Sequence, residues 1–398
     1  MKKQNFINAV LFLVFFQSCM SSPAPEYSYT PPEQTQDNIQ TGDIRQTGIE
    51  TEPIYKAAKQ ILSGEYGEVH SLLVFLNGEL LLEEYFPGHK YKYEAKEYLG
   101  QRVIWNRDMS HALLSVTKSI VSTCIGLAIK HGYIKSAAQS IFDYLPGYSD
   151  LASEEKRKIT IKHLLTMTPG LEWKEWGHSN SSRSNDVLNI WYSQDPVRYV
   201  LEKPMLHQAG SVFNYSGGNM IVLGEILRNA SGLDIEKFSE KYLFGPLGIK
   251  SALWDDTFRT GAYDTGGGLS LTPRDMLKIG ITFLQNGSWQ DNEILPPEWI
   301  QNSSSAFGNN TGINIPGIDD GKSGYSYAWW IYKTKIKGRT IRYYGAGGWG
   351  GQEIMVFPEL NAVIVFTGGN FVREVKVFTI LKKYILPALS EFNHPKVQ

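Results

Sequence analysis

The chain has 398 residues, 42% of them hydrophobic, and its 39 basic and 40 acidic side chains leave a formal net charge of −1. That length can bury a large core in one big domain or in two lobes. The near-zero charge, with no cluster of Lys and Arg, excludes nucleic acid as a partner, because a phosphate backbone has to be neutralised by grouped cations.

Residues 1–19 read as an export signal. Lys2 and Lys3 precede an apolar run from Phe6 to Phe16, far shorter than the roughly 20 residues that span a bilayer. The run ends at Phe16-Gln17-Ser18-Cys19, which resembles a relaxed bacterial lipobox and implies lipidation of Cys19. Phe in place of the usual Leu leaves ordinary cleavage near Ser21 or Ser22 as the alternative. Either way the implied location is the bacterial cell envelope, periplasm or outer membrane; with a lipid on Cys19 the membrane is a partner. The other cysteine, Cys124, falls in an apolar helical run and reads as a small core residue, so no disulfide framework is expected. Residues 20–52 are polar and carry Pro23, Pro25, Pro31 and Pro32, the composition of a flexible tether.

The folded domain is expected over 53–398. Helical spacing runs from Pro53 to Leu62, and the segments Leu72 to Leu76 and Leu80 to Tyr85 flank Asn77-Gly78, a two-residue hairpin signal. A long apolar helix follows from about Leu114 to His131, closed by Gly132 with Lys130 and His131 in its last turn. Residues 136–321 are mostly helical patterns and loops, with starts at Thr160, Gly217 and the capping sequence Thr272-Pro273-Arg274-Asp275. Strand patterns then appear at Tyr325 to Tyr332, Thr340 to Tyr344, Gln352 to Phe357 and Ala362 to Phe366, before a closing helix from about Val372 to Leu389. The fold class is α+β: one antiparallel sheet built from both chain ends (53–135 and 322–398), flanked by helices, with a mostly helical lobe (136–321) inserted.

The chemistry starts at Ser115-Val116-Thr117-Lys118. A spacing of three on a helix puts both side chains on one face, within reach for an amine to take a hydroxyl proton. Spacing alone decides nothing, because Ser153-Glu154-Glu155-Lys156 repeats it in a charged, solvated run. Lys118 differs in being followed by Ile120, Val121, Cys124, Ile125, Leu127, Ala128 and Ile129, which places its helix in the interior. Burial is expected to lower the Lys118 pKa and make it a base near neutral pH. Ser115 stands at the helix N-terminus, where backbone N–H groups favour developing negative charge. The plainer alternative is a lysine that snorkels to solvent.

Further motifs surround the pair: Thr160-Ile-Lys-His-Leu-Leu-Thr-Met-Thr-Pro-Gly170-Leu, Phe213-Asn-Tyr215-Ser-Gly-Gly-Asn219, Gly266-Gly-Gly-Leu-Ser-Leu-Thr-Pro-Arg-Asp275 and Gly348-Trp349-Gly350-Gly351-Gln352. With Ser115 to Lys118 they resemble, in order, the landmarks of the penicillin-recognising serine hydrolase superfamily, specifically the class C β-lactamase-like esterases and amidases. The resemblance spans about Tyr55 to Leu389 and implies a β-lactamase/transpeptidase-like fold. It also implies Ser115 as nucleophile, Lys118 and Tyr215 as a coupled acid/base pair, and an oxyanion hole from the backbone N–H groups of Ser115 and Gln352. Gly350 and Gly351 would let substrate approach the strand closely, unless the glycines only form a tight turn.

Two departures bear on substrate. Trp349 and Gly350 stand where β-lactamases and transpeptidases usually carry Lys or His and a small hydroxyl residue, so they cannot bind a carboxylate. Tyr-x-Asn becomes Tyr215-Ser216-Gly217, which removes an amide that contacts substrate. Both fit an ester, amide or peptide-like small-molecule substrate better than a β-lactam or D-Ala-D-Ala. The alternatives are a non-catalytic envelope lipoprotein that binds a ligand without turnover and a true class C-type β-lactamase or DD-peptidase.

Other chemistries find no support. The eight histidines form no His-x-x-x-His or Cys-His pairing, so no metal and no cofactor is expected, and no Gly-x-Ser-x-Gly elbow occurs. The segment from Gly317 to Ser323 falls one residue short of a phosphate loop and reads as a surface loop. Trp173, Trp176, Trp191, Trp329 and Trp330 are candidates for cleft lining or simply for core.

Overall fold

The computed structural model describes residues 27–179, 182–318 and 322–392. Its centre is an eight-stranded antiparallel sheet. The first two strands, β1 (Val69–Leu76) and β2 (Glu79–Tyr85), form the hairpin around Asn77-Gly78, both with positive φ. The other six come from the C-terminal part: β3 (Ile313–Asn314), β4 (Lys322–Ser326), β5 (Trp329–Ile336), β6 (Arg339–Gly348), β7 (Gln352–Phe357) and β8 (Ala362–Gly368). The order is β3-β4-β5-β6-β7-β8-β1-β2, and pairing of Leu72 with Phe366 and of Val74 with Ile364 joins the two chain ends.

The central strands read as unbroken apolar runs because helices cover both faces of the sheet. Side chains alternate along a strand: Tyr343 stacks on Tyr332 and Phe357 beneath the C-terminal helical segment, whereas the Tyr344 hydroxyl reaches the Phe283 carbonyl on the opposite face. The first face is covered by α1 (Glu52–Leu62) and by the helical run Val377–Ile380, Leu381–Ile385 and Leu386–Phe392. The second carries α2 (Val116–Lys130), whose residues 116 to 128 are all buried between the sheet and the helical lobe. In that lobe lie α3 (Ile161–Leu165), capped by Thr160, and α4 (Gly217–Ser231), capped by Ser216. Cys124 is free and buried in α2, and burial pushes its thiol up.

Several expectations need correcting. Residues 27–51 do not form a flexible tether; Ile39, Ile44 and Ile49 are buried, Thr41 bridges to Leu80, and the Tyr29 hydroxyl donates to the Leu81 carbonyl. Arg274 clamps this segment to β2, donating to Glu83, Asp37, Thr35 Oγ and the Glu33 carbonyl. The helix carrying Arg274, α5 (Pro273–Leu284), falls in the sequence range assigned to the inserted lobe yet packs on β1, β7 and β8. Residues 325–332 are not one strand but the end of β4 and the start of β5, turned at Tyr327 and Ala328 with φ of +45° and +64°. The closing helix begins at Val377, not at 372. The export signal, Cys19 and residues 20–26 lie outside the described residues.

Candidate active site

Ser115 is the N-cap of α2 and is held by a short three-stranded pairing in which Leu113 N–H donates to the Leu269 carbonyl at 2.8 Å. Leu114, directly before it, has φ +49°, a conformation that costs a non-glycine residue of order 1 kcal/mol and persists only where the surroundings enforce it. One turn on, Lys118 is 4% exposed and its Nζ donates to Ser115 Oγ at 2.9 Å and to the Gly266 carbonyl at 2.8 Å. It does not snorkel. The Ser153/Lys156 pair behaves differently, with the Lys156 amine donating to the Leu201 carbonyl.

Tyr215 enters from the opposite side. Its phenol faces Ser115 and Lys118, which both pull its pKa down, and the Lys118 Nζ lies 5.2 Å from its ring centroid. The landmark at 160–171 explains how Tyr215 is held. The turn after α3 puts Met167 at φ +57°, where its carbonyl accepts from Asn214 N–H and its sulfur from Ser216 N–H, while Asn219 donates to the Leu164 carbonyl. Trp176 stacks on the Tyr215 ring at 4.7 Å and Trp330 lies near-parallel to it at 5.8 Å, the two indoles themselves 6.0 Å apart, so the three rings pack as one cluster that holds the phenol.

The charge state of the pair departs from the expectation. Burial works against the Lys118 ammonium, but Tyr215, Glu175 and Asp264 favour it and together hold Lys118 above the ordinary lysine value. Burial pushes Tyr215 above the ordinary phenol value, against the pull of Lys118. The resting site therefore holds an ammonium and a neutral phenol, not a neutral amine. Two carboxyl groups unnoticed in the sequence add to this balance. Asp264 accepts from Gly266 N–H at 2.8 Å, and burial pushes its pKa up to about 6. Glu175 Oε2 accepts from Gly217 N–H at 2.7 Å and from Trp173 Nε1–H at 2.8 Å. Neither motif spacing nor periodicity marks them; the one signal was their closeness to the landmarks at 160–171 and 266–275.

These groups line a cavity of about 1090 Å³ together with Gly347, Gly348 and Trp349 at the end of β6. The residues expected to form the oxyanion strand lie behind the cavity wall. Gly350 and Gly351, at φ +87° and +97°, form the bend between β6 and β7, and Gln352 pairs with Gly348, is 1% exposed and spends its amide on Gly368 of β8. None of these three lines the cavity, whereas Gly217 and Trp349 do. Gly348 is the position where close approach requires glycine, since a Cβ there would sit 2.4 Å from the Leu113 carbonyl. Among the described residues, the backbone N–H groups of Ser115 and Trp349 donate to no group of the protein. The Trp349 indole is fixed edge-on by Tyr98 at 4.7 Å and Phe371 at 5.4 Å. Trp173, Trp176, Trp191 and Trp330 line the cavity; Trp329 is core. Gly317 and Ile318 of the phosphate-loop lookalike also line it, and residues 319–321 lie outside the described residues. Among the described residues no group of three or more His, Cys, Asp or Glu could hold a metal, and no helix is long and apolar enough to cross a membrane.

Comparison with known proteins agrees with this fold. The family model described as Beta-lactamase matches residues 69–369. The 6-aminohexanoate-dimer hydrolase of Paenarthrobacter ureafaciens is 24% identical over 270 residues, which cover 65% of this chain and 66% of that relative, just under two thirds of its length. Among solved structures, a family VIII carboxylesterase has a TM-score of 0.63 at 14% identity, covering 84% of this chain and 96% of that one. EstCE1, a hydrolase with promiscuous acyltransferase activity, has a TM-score of 0.62 at 15% identity over 84% and 98%. The structural likenesses establish the β-lactamase/transpeptidase-like fold. With three quarters of its length matched by the family model, the chain belongs to the beta-lactamase family, within the penicillin-recognising serine hydrolase superfamily.

Proposed function

We propose that the protein is a serine hydrolase that opens an ester or amide carbonyl through an acyl-enzyme on Ser115. The observation that carries this reading is Lys118, a buried ammonium that spans Ser115 Oγ and the Gly266 carbonyl beside the Tyr215 phenol. Because Lys118 is charged and Tyr215 neutral at rest, the pair has to release one proton before it can accept another; Lys118 then stabilises the Tyr215 phenolate as the base. Ser115 Oγ adds to the carbonyl carbon while its proton passes to the pair. The proton returns to the departing alcohol or amine as the tetrahedral intermediate collapses. Water, deprotonated by the same pair, releases the acyl group. The unpartnered N–H groups of Ser115 and Trp349 are the donors suited to the oxyanion, in place of Gln352.

The relatives named for an amide-dimer hydrolase and a carboxylesterase support small ester, amide or peptide-like substrates, and Trp349 in the third motif supports divergence from β-lactam chemistry. The sequence of residues 1–19 supports export to the bacterial cell envelope with a lipid anchor at Cys19. The test is turnover of chromogenic acyl esters, an anilide and a chromogenic β-lactam by wild type and Ser115→Ala. Ester or anilide hydrolysis lost in the variant supports the hydrolase. A folded wild type inert to all three classes supports a binding protein, and preference for the β-lactam supports a true β-lactamase.

A further inference from the structure

The charges in the cavity are arranged unevenly. Lys118 is the cation at its floor, and its amine already donates to Ser115 Oγ and to the Gly266 carbonyl beside Tyr215. The other cations lining the cavity, Arg259 and Arg373, are exposed, and Arg259 lies over the Tyr192 ring. Among the described residues lining the cavity, these two exposed arginines are the cations that remain to meet a substrate carboxylate. Facing the same floor, Glu175 is half-buried and makes no ion pair among the described residues; its Oε2 takes the Gly217 and Trp173 N–H groups, while Oε1 has no donor from the protein. At the position where the superfamily's Tyr-x-Asn pattern supplies an amide, Gly217 offers only a backbone N–H, and Glu175 consumes it. The free oxygen of a carboxylate thus stands in the cavity that holds the nucleophile, bound to the position where that pattern has a neutral amide. A fixed negative charge in a recess attracts cationic groups and repels anionic ones more strongly than the same charge in water.

We propose that Glu175 determines specificity, with its free Oε1 selecting acyl groups that are cationic or carry a hydrogen-bond donor and rejecting those that carry a carboxylate. This rests on the serine-hydrolase reading above. Glu175→Gln is the informative variant, because a single oxygen accepts both structural N–H groups and the Gln carbonyl can retain both while the charge is lost. The probes are p-nitrophenyl esters of 4-(trimethylammonio)butanoate, 5,5-dimethylhexanoate and glutarate, which match in length and differ in charge. The readout is the ratio of kcat/KM for the cationic ester to that for the anionic one, which cancels any effect of the substitution on Lys118 and Tyr215 common to all substrates. The wild type is expected to favour the cation over the anion by roughly tenfold or more, with the neutral ester between, and Glu175→Gln to bring the ratio near one. A wild type with no charge preference, or a ratio unchanged in Glu175→Gln, overturns this inference and leaves the hydrolase reading standing. Turnover of all three esters by Ser115→Ala, or of none by the wild type, overturns both.

Discussion

Replacing Lys118 by Met separates chemistry from stability, because Met keeps the length and packing of the stem and removes the charge. The variant strands the Gly266 carbonyl that Nζ holds at 2.8 Å, a loss of about 1–3 kcal/mol for a buried acceptor. Against this, an ammonium that is 4% exposed no longer has to be desolvated. Asp264, with its pKa already near 6, can take up a proton at pH 7 for about 1.4 kcal/mol. These contributions offset one another, and the unfolding free energy is expected to stay within about 2 kcal/mol of wild type. Activity should not stay. Without Lys118 the Tyr215 phenolate has no stabilising cation and Ser115 no relay, so kcat/KM for a chromogenic ester should fall by about 10²- to 10⁴-fold. Stopped-flow hydrolysis alongside urea unfolding measures both quantities. A variant that keeps more than about a tenth of wild-type kcat/KM refutes the role of Lys118; one that loses activity only in proportion to its folded fraction refutes the separation of chemistry from stability.

Three further outcomes follow from the structure. Arg274→Met should cost about 3–5 kcal/mol in urea unfolding, since Glu83, 4% exposed, and Asp37 lose their counter-ion together with the clamp on residues 27–51; a loss near zero would show that the clamp contributes nothing. Burial pushes Glu84 up to about 7, and its carboxyl accepts from the Tyr27 hydroxyl at 2.6 Å. The folded value lies above the unfolded one of about 4.5, so this stabilisation is complete below about pH 4.5 and disappears as pH rises through 7; in Glu84→Gln that decline, on the order of 3 kcal/mol, should vanish from the pH dependence of unfolding. Gly348→Ala would place a Cβ 2.4 Å from the Leu113 carbonyl and displace the backbone before Ser115, lowering kcat about 10²-fold; an unchanged kcat would mean that β6 does not position the nucleophile.

Where one local interaction decided the structure, the sequence was readable. Asn77-Gly78 specified the β1–β2 hairpin, Thr160 and Thr272 capped their helices, and the apolar run after Lys118 correctly buried α2. Tyr215 meets Ser115 and Lys118 as the motif order implied. The misses share a physical cause, namely partners distant in the chain. Residues 27–51 look like a tether by composition, and only Arg274 and β2 make them structural. The turn at Tyr327-Ala328 carries neither Gly nor Asn, and its left-handed conformations persist in a tightly packed setting where Ala328 bonds to Ser119 and Leu165. Lys118 was judged by its apolar helix alone, while the groups that hold it charged, Tyr215 and then Glu175 and Asp264, come from 97, 57 and 146 residues further along. The oxyanion strand was placed by motif, but the bend at Gly350-Gly351 moves Gln352 into the core and leaves Trp349 at the cleft.

The central claim is that Ser115 becomes acylated. Wild-type protein mixed with a slowly deacylated ester and acid-quenched within the first turnover should gain the mass of one acyl group, on the peptide that contains Ser115, with Tyr215→Phe accumulating it more slowly. Acyl mass on another residue, or ester turnover by a pure, folded wild type whose mass never changes while Ser115→Ala works equally well, would contradict the account.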